Sequence, residues 1–369
     1  MNLSVPLYYS YPDPIRVRAH TIDAPFMTTE IKLTHYSHGA GCGCKIAPKV
    51  LDEILKSSIT VPDNDKLLVG NHSRDDAAVY DLGNGMALIS TTDFFMPIVD
   101  DAFDFGQIAA ANSISDVYAM GGKPLMAIAI LGWPVEKLPV ELAQKVIEGG
   151  RTVCAKAGIP LAGGHSIDSP EPIFGLAVTG IVPIGNLKKN NTAEEGDYLF
   201  LTKALGVGVL STAQKRGLLQ AEHLPVLIQQ LTTLNQLGEE LGKNTGVTAM
   251  TDVTGFGLLG HLIEMAAGSG LSAEIDYAKL PVIDGAKEYI AQRIFPDATT
   301  RNWSSYSDKV KFEKGVNVME AFTLLPDPQT NGGLLVSVKE SAVPELLPIL
   351  GEPIGRMIKA AEKTIYIRP

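Results

Sequence analysis

Two kinds of side chain in this 369-residue sequence have the type and spacing to do chemistry: thiols in a glycine-rich segment, and aspartates beside apolar segments. In Gly41-Cys42-Gly43-Cys44-Lys45 two thiols stand between glycines and next to a lysine. Glycine leaves the backbone open and a nearby cation biases a thiol toward thiolate, so the segment is expected to present exposed, nucleophilic sulfur on a mobile loop. Cys-x-Cys alone supplies only two of the four ligands of a structural zinc. His38 stands where it can assist, although a loop histidine is usually just solvated. Cys154, in a helical pattern of mixed character, reads as a small packing residue.

Asp75, Asp76, Asp93, Asp116 and Asp252 share a second setting, each next to Thr, Ser, Arg or another Asp. Carboxylates at element ends can converge on one cleft, and hard oxygen donors suit magnesium held with a nucleotide better than zinc. Aspartates also cap helices and shape turns, and that reading stays open for each taken singly. Ala162-Gly163-Gly164-His165-Ser166 offers backbone N–H groups that can wrap an anion, or simply a tight turn. Lys203 can reach a phosphate or snorkel at a strand end. The loop G-x-x-x-x-G-K-[ST] does not occur. Gly255-Phe-Gly257-Leu-Leu-Gly260 matches the dinucleotide pattern G-x-G-x-x-G, with Asp276 downstream. Asp252, just before those glycines, would repel a pyrophosphate unless a divalent cation stood between them.

The elements that must position these groups alternate between helix and strand. A helix is expected from Pro48 to about Ser57, with proline in its first turn. Strands follow at Ala77–Asp81 and Met86–Thr91, joined by Gly83-Asn84-Gly85, a hairpin signal. Helices are predicted at about Phe105–Met120 and Val140–Ala157, each followed by an apolar, strand-like run; Pro124–Trp133 is one of these. Ile173–Val182 is strongly β-like, and Pro183-Ile184-Gly185-Asn186 marks a boundary. Beyond it come a strand at Tyr198–Thr202 and helices around Leu224–Leu241 and Leu258–Ala267. The expected organisation is an extension at 1–30, one mixed α and β domain at 31–182 and a second at 183–369, an α+β chain overall.

Composition sets the partners. Hydrophobic residues make up 45% and charged ones 20%, as in ordinary globular proteins. A formal charge of −10 opposes nucleic-acid or anionic-membrane partners, so a polyphosphate ligand must bring cations. The apolar run 124–133 is about half of the roughly 20 residues a membrane helix needs. Three cysteines in a chain this long do not make a secreted disulfide framework, and a reducing, cytoplasmic setting is expected. The first 26 residues do not read as a secretory signal, and Met27 is an alternative start to Met1.

Taken in order, eight phrases resemble the selenophosphate synthetases, and the resemblance runs from about Ile31 to the C-terminus. They are Thr34-His-Tyr-Ser-His-Gly-Ala-Gly-Cys-Gly-Cys-Lys45, Arg74-Asp-Asp-Ala-Ala-Val79, Ser90-Thr-Thr-Asp-Phe-Phe-Met-Pro97, Ser115-Asp116, Ala119-Met-Gly-Gly-Lys-Pro124, Gly163-Gly-His-Ser166, Thr251-Asp-Val-Thr-Gly-Phe-Gly-Leu-Leu-Gly-His261 and Asp327-Pro-Gln-Thr-Asn-Gly-Gly333. The aspartate phrases also look like the wider aminoimidazole ribonucleotide synthetase superfamily, whereas Cys-Gly-Cys-Lys singles out the selenium branch. The resemblance implies two mixed α/β domains of that type, with the N-terminal halves of a homodimer forming a shared β-barrel. It implies that Asp76, Asp116 and Asp252 bind magnesium, that Ser73, Arg74, Asp75, Asp93, Asp116 and Gly164-His165-Ser166 hold ATP, that Lys45 meets the phosphates, and that Cys42 is catalytic. The implied reaction converts ATP, selenide and water to selenophosphate, AMP and phosphate; a monovalent cation such as K⁺ and a selenium-delivery protein are further expectations. Asn331 departs from the family's serine and puts the local turn in doubt. Two alternatives stand beside this reading: a relative that activates an amide or carboxylate oxygen with ATP, and a silent nucleotide-binding regulator. Cys42 and Lys45 argue against both.

Overall fold

The computed structural model describes residues 31–46, 48–56, 64–70 and 75–369. Ser73, Arg74, Met27 and the expected extension lie outside the described residues. Lys32–Pro369 forms one compact unit, and of the other unit, Met1–Ile31, only Ile31 is described.

In the first half the elements are α1 (Pro48–Leu55), β1 (Leu67–Val69), β2 (Ala78–Asp81), β3 (Met86–Phe95), α2 (Ala102–Ala119), β4 (Lys123–Trp133), α3 (Val140–Lys156), β5 (Leu161–Asp168) and β6 (Ile173–Pro183). The strands form a six-stranded sheet in the order β1-β2-β3-β6-β4-β5, parallel only at the β4–β5 pair. Gly83 and Gly85, both at positive φ, turn the chain between β2 and β3, as the Asn84-Gly85 pair predicts. The helix predicted from Phe105 starts earlier, because the Asp101 side chain accepts from the Asp104 N–H and caps a turn at Ala102. Nearly every side chain of α2 is buried, so the helix shows no polar stripe.

The second half contributes β7 (Tyr198–Leu201), α4 (Val207–Lys215), α5 (His223–Thr232), α6 (Leu237–Lys243), β8 (Val247–Asp252), α7 (Gly257–Gly268), β9 (Leu271–Asp276), α8 (Ala286–Ala291), α9 (Asp297–Tyr306), β10 (Val310–Phe312), α10 (Val318–Leu324), β11 (Leu334–Val338), α11 (Val343–Leu350), β12 (Gly355–Lys359) and β13 (Ile365–Arg368). Its seven strands are ordered β10-β13-β9-β12-β7-β11-β8.

Two expectations fail here. The single helix expected at Leu224–Leu241 is broken between α5 and α6. At the break, carbonyls that a continuous helix would pair internally find side chains instead: the Asn331 amide donates to Leu231 O (2.7 Å) and Thr233 O (2.9 Å), and Lys203 Nζ donates to Thr233 O (2.7 Å). Asn331 itself sits at φ 46°, a left-handed conformation that asparagine tolerates, so the exchange from serine is accommodated in the turn. The second failure concerns Gly164-His165-Ser166. They are not a turn but part of β5, the exposed edge strand, held in register against Ala129, Ile130 and Leu131 of β4.

The outer face of the six-stranded sheet is apolar and open: Phe94, Ile128 and Ile167 are 52%, 46% and 58% exposed. Among the described residues no helix is long and apolar enough to cross a membrane.

Candidate active site

A cleft of about 800 Å³ brings together Lys45, Asp75, Asp76, Asp93, Asp116 and Asp252, drawn from both halves of the chain. Asp76 precedes β2, Asp93 lies near the end of β3, Asp116 is in the last turn of α2, and Asp252 ends β8. Asp76, Asp116 and Asp252 each offer a carboxylate oxygen, and all three lie within 4.8 Å of one another.

Such crowding is costly unless something positive is shared. Burial, then the charges of Asp252, Asp75 and Asp116, push the Asp76 carboxyl well above the usual carboxylate range, against a Thr251 hydroxyl that donates to its Oδ1 (2.8 Å). Asp116 is pushed the same way by burial, Asp252 and Asp93, opposed by the Thr91 hydroxyl and Lys45. Burial raises Asp252 to about 6, and Asp75 also to about 6. Asp76 Oδ2 and Asp252 Oδ2 are buried without a hydrogen-bond donor. A hard cation would satisfy both orphaned oxygens and remove the repulsion, so the donor set fits magnesium.

The glycine-rich segment reaches this cleft through Lys45 and differs from expectation. Cys42 is 2% exposed, not open to solvent. Its N–H donates to Thr330 Oγ1 (2.9 Å) and its thiol to Asn112 Oδ1 (3.3 Å). The cover comes from residues far along the chain: a Cβ on Gly41, at φ 50°, would meet Thr330 Oγ1 at 2.4 Å, and one on Gly43 would lie 3.7 Å from Ala298 Cβ and from Pro328 Cγ. Glycine is needed at 41 for conformation and for close approach, not only for freedom. The Cys44 side chain lies outside the described ones.

Lys45 Nζ lies 3.6 Å from Asp93 Oδ1. Burial works against its charge, but the side chain is still 38% exposed, and Asp93, Cys42, Asp116 and Asp252 together hold the ammonium protonated. Asn112, which the sequence reading missed, ties the site together. Its Oδ1 also accepts from Asn331 N–H (2.7 Å), and its amide donates to Asp93 Oδ2 (2.6 Å). One fully buried amide thereby links the thiol, the acid that pairs with Lys45, and the phrase beginning at Asp327. The signal was Asn112-Ser113 with Ser115 inside an otherwise apolar helix.

Other expectations resolve into structure. Asp75 accepts from the N–H groups of Asp76 (3.1 Å) and Asn190 (3.3 Å) beside the cleft. Gly164, His165 and Ser166 do not line the cleft of their own chain. Lys203 neither reaches the cleft wall nor snorkels; it donates to the Thr233 and Asn331 carbonyls, and burial lowers it to about 7. His38 pairs with Glu171 (2.9 Å) instead of the thiol. Cys154 is buried, its thiol pushed up to about 11 by burial, in keeping with packing. In the G-x-G-x-x-G segment, a Cβ on Gly257 would lie 2.6 Å from the Pro326 carbonyl carbon and one on Gly260 2.5 Å from Phe256 Cβ, so these glycines serve packing around α7. His261 of that helix faces the cleft as a neutral imidazole: Nε2 accepts from Thr254 N–H (3.1 Å), and burial, then Lys45, lowers it to about 3.

Residues 74–182 match the family described as AIR synthase related protein, N-terminal domain, and residues 194–368 its C-terminal domain. A selenide, water dikinase of Aeromonas hydrophila is 57% identical over 337 residues, covering 89% of this chain and 96% of that one. One of Pseudomonas putida is 55% identical over 347 residues, covering 92% and 100%. Among solved structures, hydrogenase maturation protein HypE in complex with ATP superposes with a TM-score of 0.61 at 18% identity, covering 83% of this chain and 87% of that one, a likeness of fold.

Proposed function

The chain belongs to the selenide, water dikinases, within the AIR synthase related proteins, and from that membership and the aspartate cleft we infer that it is an ATP-dependent phosphotransferase converting ATP, selenide and water to selenophosphate, AMP and phosphate. The observation that carries the reading is the meeting of Lys45 and three converging carboxylates in one cleft, beside a buried thiol that Asn112 ties to Asp93 of the cleft wall.

Asp76, Asp116 and Asp252 are the groups that would hold magnesium, which when bound neutralises nucleotide phosphate oxygens. Lys45, kept charged by Asp93, meets the same oxygens, and Asp75 and Asp93 line the nucleotide cleft; Ser73 and Arg74 belong to the same reading. Selenide and triphosphate are both anionic, so their approach depends on positioning and on cations already in place, the terms that dominate phosphoryl transfer. Cys42 serves the selenium side of the reaction from beneath the folded segment, where water is excluded. We place the nucleotide and most of its ligands in a domain at 31–182, with 183–369 supplying Asp252 and the walls over Cys42.

A homodimer completes the reading. The open apolar sheet face with Phe94, Ile128 and Ile167 suits a second copy, as in a shared barrel. In that arrangement Gly164, His165 and Ser166 of edge strand β5 serve a nucleotide across the subunit boundary. A monovalent cation, a selenium-delivery partner and a cytoplasmic setting belong to the same proposal. The metal assignment is tested by titrating ATP into Asp76→Ala with and without magnesium. Magnesium-dependent binding is expected to disappear; unchanged binding would remove Asp76 from the metal site.

A further inference from the structure

A second cavity, of about 680 Å³, has no part in the nucleotide reading. Its walls are the segment 38–46, the end of α4 and the beginning of α9, and among the described residues Lys45 is the one side chain that lines both it and the aspartate cleft. Its charge is opposite to that of the chain. Among the described residues Lys215, Arg216 and Arg301 line it with Lys45, and Asp297 is the one carboxylate that lines it, in a protein of formal charge −10.

Two of these cations are fixed by the segment that carries Cys42. Lys215 Nζ donates to Ser37 O (2.9 Å) and Gly39 O (3.0 Å), and Arg301 Nη2 donates to Gly43 O (3.0 Å). Both therefore hold that segment from α4 and α9 at the wall of the cavity. Arg216, exposed at the end of α4, makes no ion pair among the described residues. A concave, cation-lined surface in an acidic protein focuses anions.

The chemistry of the reaction says which anion. Both reactants are negative, and a bound triphosphate occupying the aspartate cleft repels a second anion arriving through the same mouth. Resting on the selenide-using reading above, we propose that this cavity is the receiving site for the soft monoanion hydrogen selenide, separate from the nucleotide cleft and joined to it at Lys45. The volume leaves room for the anion with its water of hydration. Lys45 then stands where the two anions meet, and Arg216, Lys215 and Arg301 set the affinity for the smaller one.

The test uses the full chain, without oxygen, under saturating ATP and magnesium. Reversing one charge roughly 8 Å from the anion in a water-like medium changes its affinity about fivefold. Arg216→Glu is expected to lower kcat/KM for selenide by that factor at low ionic strength, with the gap closing as salt rises and KM for ATP holding. Lys359→Glu on β12, the same change of charge elsewhere, leaves the selenide dependence as it was. In parallel, hydrosulfide is titrated into protein saturated with a non-hydrolysable ATP analogue and magnesium. Binding that weakens in Arg216→Glu supports the cavity even if the unaltered chain forms no AMP with selenide, an outcome that would sink the enzymatic reading alone. An unaltered chain that does form AMP, with selenide KM and hydrosulfide binding the same in Arg216→Glu, overturns the cavity assignment. So does a variant in which only inhibition by product phosphate changes, which would give the cavity to phosphate.

Discussion

Asn112 carries three hydrogen bonds at the point where the thiol, the acid and the C-terminal phrase meet. Asn112→Ala would leave the Asn331 N–H buried without an acceptor and free Asp93 to swing away from Lys45. An orphaned buried group of that kind costs about 1–3 kcal/mol. Urea unfolding of Asn112→Ala is expected to show a loss in that range, with turnover falling at least tenfold; native stability with native turnover would show that the amide holds nothing in place. At this scale the carboxylates were legible because each stood beside small polar residues at the end of an apolar run. Asn112 was not, since a polar residue inside a helix ordinarily marks a solvent face and here is fully buried. The exposure of Cys42 was misread for a related reason: its cover, Pro328 and Thr330, lies almost the whole chain away in sequence.

Between elements, α2 and α3 cross at glycines. A Cβ on Gly106 would sit 1.9 Å from Val146 O, and one on Gly149 2.1 Å from Phe103 O, so the two backbones touch with no room for a methyl group. Asp116 and Asn112 both ride on α2, which makes this contact part of what aims them. Gly149→Ala forces the helices apart, and overpacking of this kind costs roughly 1–3 kcal/mol. Thermal unfolding should register the loss; a melting temperature equal to that of the unaltered chain would show that the contact gives way freely. Periodicity located both helices to within a turn and β6 to within a residue, but stopped β3 at Thr91, short of its end at Phe95. It missed the break between α5 and α6, because what ends α5 is the amide of Asn331 and the ammonium of Lys203, neither local in sequence.

At the scale of the whole molecule, one sheet face is left apolar and open. If a second copy covers it, Ile128→Glu buries a charge in that interface and should give a monomer by light scattering, while an unchanged mass would mean that the copies meet elsewhere. The edge position of β5 was hidden from the sequence, where Gly163-Gly164 read as a turn; strand order is set by pairing with β4, not by local pattern. The central claim is the reaction itself. Anaerobic incubation of the full chain with ATP, magnesium and selenide, followed by ³¹P NMR together with AMP formation, tests it most directly. Selenium-bonded phosphorus and AMP are expected, both dependent on selenide and both reduced at least about 10²-fold in Cys42→Ser. ATP consumption that ignores selenide, or tight nucleotide binding with no turnover, would contradict it.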